Sequence, residues 1–327
     1  MMDNSKKIAV LMTVYNETEE WLRMSISSVL NQTYENIHLY ILLDNPDNHL
    51  ARDIIQGYLD EDSRISFFVN DVNLGLVSSL NKLLGIVTEE YIARMDADDI
   101  CLPERLQCEL KFMEEHKLDF VISNVDYLRG EYIDGEVETP ALFPEAFAEC
   151  QKYTNFSTHP TWLLKKKVYD ELQGYRDVKH CEDYEFVLRA IQRGFRVGRT
   201  KEVLLHYRMR ENGISISYAF EQYEKTKYIR RMYKKGQQIE GISCDELNHL
   251  EIFGNTRREK QFFSARHYVD RIVVHLRDKK YTNCLGLAFW GCLSNPAFRE
   301  LCMDRVMLRL NTSRVFKKQE KTLRVRG

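Results

Sequence analysis

Arg94-Met95-Asp96-Ala97-Asp98-Asp99 follows directly on the apolar run Tyr91-Ile92-Ala93. Carboxylates spaced so closely repel one another and raise each other's pKa, so holding them together calls for a cation. Mg²⁺ or Mn²⁺ compensates them most directly, because hard divalent ions take oxygen ligands and are bound by a few carboxylates together with substrate phosphates. The plainer alternative is a solvated acidic turn ahead of a helix that opens at Pro103. A second acidic pair lies in Cys181-Glu182-Asp183-Tyr184-Glu185-Phe186, which opens a helix backed by Leu188 and Ile191. Acids in a first turn also match the helix dipole, a stabilisation of about 0.3–1 kcal/mol that needs no chemistry.

These groups need elements to position them. Ile8-Ala9-Val10-Leu11-Met12 has the unbroken apolar character of a strand buried on both faces, and it stops at Thr13-Val14-Tyr15-Asn16. Thr18 caps a helix that begins at Glu19-Glu20 and turns Trp21, Leu22, Ile26, Val29 and Leu30 inward. A second strand, Ile37 to Leu43, ends at Asp44, and Asn45-Pro46-Asp47-Asn48 leads to a helix with Ile54, Ile55, Tyr58 and Leu59. A third strand, Ile65 to Val69, ends at Asn70, and Asn73-Leu74-Gly75-Leu76 opens the next helix. The fourth strand delivers the acidic cluster.

Alternation of this kind predicts a doubly wound, mostly parallel α/β sheet with helices on both faces. Such sheets bind ligands beyond the carboxyl ends of their strands, where the strand order reverses. Thr13 and Asn16, Asp44, Asn70 and Asn73, then Asp96, Asp98 and Asp99 put polar groups on one rim at successive strand ends, which points to a ligand crevice. No G-x-G-x-x-G follows the first strand and no G-x-x-x-x-G-K-[ST] occurs, so the dinucleotide and P-loop fingerprints are absent.

Beyond Pro103 the pattern predicts a helix to about His116 and a buried strand at Phe120-Val121-Ile122. Between Asn124 and Phe156 it loosens, with Gly130, Gly135, Pro140 and Pro144, as expected of a surface excursion facing an acceptor. His159-Pro160-Thr161-Trp162-Leu163-Leu164-Lys165 reads as a short strand. Gly194-Phe195-Arg196-Val197 starts an edge strand, Val203 to Arg208 follows, and then comes the polar stretch Asn212 to Ser217.

At 327 residues the chain has room for one large α/β domain and an appended segment. Its hydrophobic content of 44% and charged content of 29% are those of a soluble globular protein, and the formal charge of −2 argues against nucleic acid as a partner. The eight cysteines show no C-x-x-C pair and read as reduced, mostly buried thiols of a cytoplasmic protein. The polar segment Met1 to Lys7 is not a signal peptide, and the apolar stretch from Cys284 to Leu293, about ten residues, is too short to cross a bilayer.

Taken in order, Thr13-Val14-Tyr15-Asn16, Asn73-Leu74-Gly75, Tyr91 to Asp99, His159-Pro160-Thr161, Gly174-Tyr175, Glu182-Asp183-Tyr184-Glu185 and Tyr207-Arg208 resemble the family 2 glycosyltransferases of the GT-A fold. The resemblance spans about residues 6 to 218. It implies a GT-A domain over 1–218, divided into a nucleotide-sugar half (1–123) and an acceptor half (124–218), with 219–327 as a helical extension. One departure stands out: where the family usually has two aspartates and Gly-Ser after the second strand, this chain has Asp44-Asn45-Pro46-Asp47.

The resemblance also implies the reaction, an attack of an acceptor hydroxyl on the anomeric carbon of a nucleotide-diphosphate sugar, by family habit a UDP-sugar, with inversion. Asp98 is then the metal carboxylate, with Asp96 sharing the metal shell or lying nearer the ribose. Arg94 holds Asp96 or a phosphate, Asp183 is the general base, and Glu182 is its substitute. Thr13, Tyr15, Asn16, Asp44 and Asn73 complete the donor site, with Asp44 accepting from a base N–H and Tyr15 either stacking on the base or packing in the core. His159 is expected to be structural, and His206 or Arg208 to reach toward the diphosphate or metal.

From Tyr218 the chain reads as helical, and it ends in a basic tail of Arg309, Arg314, Lys317, Lys318, Lys321, Arg324 and Arg326 against Glu320. An amphipathic helix with such a tail suits the anionic inner face of a membrane; the alternatives are helices that cover the sheet or pair with a second copy in a homodimer. The expected acceptor is a glycan or polyprenyl-diphosphate-linked oligosaccharide of surface polysaccharide synthesis. Two rival readings are a metal-dependent sugar nucleotidyltransferase and a non-catalytic nucleotide-sugar-binding subunit of a membrane complex.

Overall fold

The computed structural model describes residues 5–134, 139–210, 213–250, 256–277 and 280–326; Gly135 and Asn212, counted above among the loop residues, lie outside these. The first half runs β1 (Ile8–Val14), α1 (Glu19–Leu30), β2 (Ile37–Leu43), α2 (His49–Glu61), β3 (Ile65–Val69), α3 (Leu76–Leu84), β4 (Tyr91–Asp96), β5 (Ile100–Cys101) and α4 (Arg105–Glu115). The second continues with β6 (Phe120–Arg129), β7 (Tyr132–Asp134), α5 (Pro144–Cys150), β8 (Leu163–Lys165), α6 (Lys166–Leu172), α7 (Glu182–Gln192) and β9 (Val197–Arg208). Helices α8 (Ile214–Ser217), α9 (Ala219–Lys234), α10 (Cys244–Asn248), α11 (Thr256–Arg277), α12 (Tyr281–Ser294) and α13 (Pro296–Arg326) follow.

The described strands form one sheet in the order β3-β2-β1-β4-β8-β6-β9-β5, with β7 paired to β6. From β1 the chain steps outward through β2 and β3 in parallel, then returns to place β4 on the other side of β1, so the strand order reverses between β1 and β4. Thr13 lies level with Leu42 on one side and with Asp96 on the other, which aligns the polar strand ends on one rim. One face of the sheet is covered by α1, α2 and α4 through Leu22, Ile26, Ile55 and Leu110. The other is covered by α3, α6 and α7 through Leu80, Leu83, Val168 and Phe186.

The acceptor half is mixed: β8 runs antiparallel to both β4 and β6, whereas β9 runs parallel to β6. Two expectations are corrected here. His159–Thr161 is a 3-10 turn and only Leu163–Lys165 is strand, because Pro160 has no N–H to give to a ladder. The expected edge strand at Val197 is the start of one continuous strand to Arg208, flanked by β6 and β5. The polar Thr200-Lys201-Glu202, which imitates a break, coincides with the register shifts around Asn124 that let both halves of β9 stay paired to β6.

The helical extension docks back onto the sheet domain. Ile229 of α9 packs with Leu188 of α7 and with Val178. The expected basic tail after Leu310 is the second half of the single helix α13, with Val315 and Phe316 against the core face that includes α5 and Gln319 bonded to both Phe143 N (2.9 Å) and Ala141 O (2.7 Å). All eight cysteines are unbridged, as expected of reduced thiols.

Candidate active site

β4 ends at the site. Arg94, wholly buried, donates to a carboxylate oxygen of Asp96, and Ser25 of α1 donates its hydroxyl to Asp96 O (2.8 Å), so the strand end is held from both sides. The chain then turns inward, leaving Asp98 7% and Asp99 1% exposed. β9 ends at Arg208, and that residue and Arg210, two positions beyond it, both reach this turn. Arg208 donates from its backbone N to Asp99 Oδ1 (2.7 Å) and from Nε to Asp98 O (2.7 Å), while Arg210 Nε lies 2.7 Å from Asp98 Oδ2. Both guanidinium groups lie over the ring of Trp21, at 5.1 and 5.9 Å.

Asp96, Asp98 and Asp99 each offer an oxygen within 4.8 Å of the others. Burial, and then the charge of Asp96, pushes the Asp98 carboxyl up to about 7, with Arg210 opposing. Burial, and then the charges of Asp98 and Asp96, holds Asp99 well above the usual carboxylate range. Asp99 Oδ2 is buried with no hydrogen-bond partner. An orphaned carboxylate oxygen in an all-oxygen cluster fits a hard divalent ion.

The second acidic pair sits at the start of α7, where Glu182 and Asp183 remain half-accessible. Asp183 accepts from Asn155 Nδ2 (2.9 Å) and from Tyr184 N (2.6 Å). Burial pushes Asp183 up to about 6 against these bonds; burial and the Asp183 charge push Glu182 up to about 7. Both groups also feel the charge of Asp96, so the two acidic motifs lie within electrostatic reach of each other. Glu185 of the same motif turns away, fully buried between Arg189 Nε (2.8 Å) and Arg176 Nη1 (3.0 Å).

At the end of β2, Asp44 is buried and holds the loop that follows β3. Its Oδ1 accepts from Asn70 Nδ2 (2.7 Å) and Leu74 N (2.9 Å), and its Oδ2 accepts from Gly75 N (2.8 Å). Gly75 sits at φ +81° and Asn73 Oδ1 accepts from its N–H (2.9 Å), a tight turn that a side chain would strain. Asn16 Oδ1 accepts from Asn45 Nδ2 (2.7 Å), and Asn48 Nδ2 donates to Tyr15 O (2.9 Å), so the Asn-Pro turn clasps the end of β1. Tyr15 is 45% exposed, which removes the core-packing alternative for its ring.

His159 is buried, bonded through Nε2 to Tyr175 Oη (2.8 Å) and set edge-on against Trp162, a structural position. Arg208 reaches the acidic cluster. His206 is level with Ile100, one residue beyond Asp99, and its Nδ1 is buried without a partner. Arg210, Glu17 and Asn155 did not stand out in the sequence. Residue alternation was the available signal for Arg210, since it places 208 and 210 on one side of an extended chain.

The model of the glycosyl transferase family 2 domain matches residues 9–173. An uncharacterised glycosyltransferase of Methanocaldococcus jannaschii is 37% identical over 280 residues, 84% of this chain and 94% of the relative. The O-antigen biosynthesis glycosyltransferase WbnJ of Escherichia coli is 29% identical over 242 residues, 72% and 93% of the two chains. Among solved structures, S. aureus TarS 1–349 in complex with UDP-GlcNAc superposes with a TM-score of 0.56 at 16% identity, covering 74% of this chain and 70% of that one. The fold and the site define a GT-A sugar-transferring enzyme. The chain belongs to glycosyl transferase family 2.

Proposed function

We propose that this enzyme is a metal-dependent, inverting glycosyltransferase that moves a sugar from a nucleotide-diphosphate donor, most simply a UDP-sugar, to a hydroxyl of a glycan or lipid-linked oligosaccharide in surface polysaccharide synthesis. The observation that carries this reading is the carboxylate cluster of Asp96, Asp98 and Asp99 at the β1/β4 switch point, with Glu182-Asp183 at the start of α7 within reach of the Asp96 charge. The names of WbnJ and of an Escherichia coli UDP-glucose-dependent glucosyltransferase, 28% identical over 209 residues, support the donor and the pathway class. Residues 1–218 form the catalytic unit in this reading, and 219–327 serve acceptor and membrane.

Asp96, Asp98 and Asp99 would hold Mg²⁺ or Mn²⁺, which when bound supplies Lewis-acid stabilisation of the departing diphosphate. Asp183 takes the proton of the acceptor hydroxyl as that oxygen bonds to the anomeric carbon. The bond from that carbon to the diphosphate breaks, and its electron pair leaves with the nucleoside diphosphate. Arg208 and Arg210 set positive charge beside this leaving group. Tyr15 offers a ring for the base, and Asp44 keeps the Asn73-Leu74-Gly75 turn in place at the donor end.

The test is release of nucleoside diphosphate from a panel of UDP-, GDP- and dTDP-sugars, with and without Mn²⁺. Metal-dependent turnover of one donor is expected. Release of pyrophosphate instead would make the protein a nucleotidyltransferase, and donor binding with no turnover under any acceptor would leave only a binding subunit.

A further inference from the structure

Helix α12 carries no charged residue along Tyr281–Ser294. Tyr281, Leu285, Phe289 and Leu293, spaced one ridge apart, and Trp290 beside them are between 60% and 73% exposed. Such a face is apolar surface left in water, the kind that marks an interaction site. The next helix continues the theme, with Met303, Val306, Met307 and Leu310 between 47% and 62% exposed.

Charge on α13 is sorted by side. Glu300 pairs with Lys227, and Asp304 accepts from Tyr223 Oη (2.9 Å) and pairs with Arg230, so both acids are satisfied inward by α9. Arg299, Arg305 and Arg309 are exposed. At the corner where α12 meets α13, an open groove of about 600 Å³ is lined by Arg257, Lys260, Gln261, Ser264 and Tyr268 of α11 and by Ser294, with no carboxylate in its wall. Apolar ridges, Trp and Tyr, and an outward cationic set are the complement of an anionic lipid surface. A symmetric contact with a second copy would face arginines with arginines, with the neighbouring acids already engaged.

We propose that α12 and the outer side of α13 lie in the surface of an anionic bilayer, with lipid phosphates taken into the Arg257–Lys260 groove. The helix lies on the membrane: none of the described helices is long and apolar enough to cross one. This deepens the proposed membrane-bound acceptor, and moves the contact from the basic tail, which packs on α5, to α12.

The test is sedimentation of the full chain with phosphatidylcholine vesicles, with and without phosphatidylglycerol, at low and high salt. Wild type is expected to pellet with the anionic vesicles. Partition should fall about tenfold or more in Phe289→Ser/Trp290→Ser and about tenfold in Arg305→Gln/Arg309→Gln. Brominated lipid should quench tryptophan fluorescence in the wild type and lose most of that effect in Trp290→Phe, where Trp21 and Trp162 remain. Three results overturn the proposal: wild type left in the supernatant, partition indifferent to both double variants, or self-association lost in those variants while vesicles are never bound. Release of nucleoside diphosphate from the donor in the absence of acceptor, which the 1–218 unit performs in this reading, should be the same in all of them. If no donor turns over while the vesicle results hold, the catalytic reading fails and the membrane surface stands.

Discussion

Arg210 Nε lies 2.7 Å from Asp98 Oδ2, so the acidic turn already holds a cation of its own. The same guanidinium lies 3.8 Å from Glu17 and over Trp21, a position held by three weak contacts. A divalent ion entering between Asp96, Asp98 and Asp99 competes with this pair for the Asp98 carboxylate. Arg210→Gln should therefore tighten Mn²⁺ binding to the donor-free enzyme. A partly exposed ion pair contributes up to about 1 kcal/mol, so the gain is roughly fivefold. Titration calorimetry reads it directly, and an unchanged affinity would show that Arg210 is a bystander.

Asp98→Asn tests the metal site from the other side. Mn²⁺ should raise the wild-type melting temperature by mass action, and Asp98→Asn should remove that shift together with about 10²–10³ of the turnover. Asp98 and Asp99 repel each other in a buried turn, so the variant without metal should melt no lower than the wild type without metal. A large loss of metal-free stability would assign Asp98 a structural role instead.

Much of this site was legible because the strands that carry it open on unbroken apolar runs. Ile8–Val14 and Tyr91–Asp96 leave no ambiguity of period, and the polar residue that ends each one falls on the rim. The acceptor half was harder to read. Its pairing depends on β9 skipping register at Asn124, a tertiary accommodation that local pattern does not encode. Asn155 reaches Asp183 from an irregular segment, where no periodicity says which way a side chain points. The tail was hard to read for a similar reason: Lys317, Lys318 and Lys321 stand out as a basic run, while Val315, Phe316 and Gln319 beside them anchor the helix.

The pH profile should report the base. Asp183 must be ionised to take a proton, and burial holds its carboxyl up at about 6, so kcat should fall as pH drops through that value. Asp183→Asn should abolish this limb and reduce kcat by about 10²–10⁴ with the donor affinity kept. The Asp183 charge raises Glu182, so Asp183 is the first of the two to ionise and Glu182→Gln should leave the limb in place. A limb that disappears in Glu182→Gln and persists in Asp183→Asn would exchange the two roles.

Asp44 binds three groups of its own loop, which separates its effect from that of a residue touching only substrate. Asp44→Ala leaves Leu74 N without its acceptor and Gly75 N with Asn73 Oδ1 alone, and should cost about 1–3 kcal/mol in urea unfolding. The same change loosens the turn beside the donor and should raise the donor KM more than it lowers kcat. A loss of donor affinity at full stability would mean that the carboxylate speaks to the base directly.

Glu185 closes the argument about the second motif, because it shares a helix turn with the base and does none of its work. Its carboxylate is fully buried between Arg176 and Arg189, and Arg189 in turn donates to Leu172 O (2.8 Å) and Gly174 O (3.0 Å). Gly174, at φ +73°, leaves no room for a side chain against Asn81, whose amide brackets Tyr175 by bonding both its N and its O at 2.9 Å. This chain of contacts fixes the angle at which α7 presents Asp183 to the cleft. Removing one partner of a buried ion pair typically costs about 3–5 kcal/mol, so Glu185→Ala should lower stability by about that much. Turnover below the melting transition should fall far less than in Asp183→Asn, and the acid limb near 6 should remain. Loss of the limb with full stability would place Glu185, not Asp183, at the reacting hydroxyl.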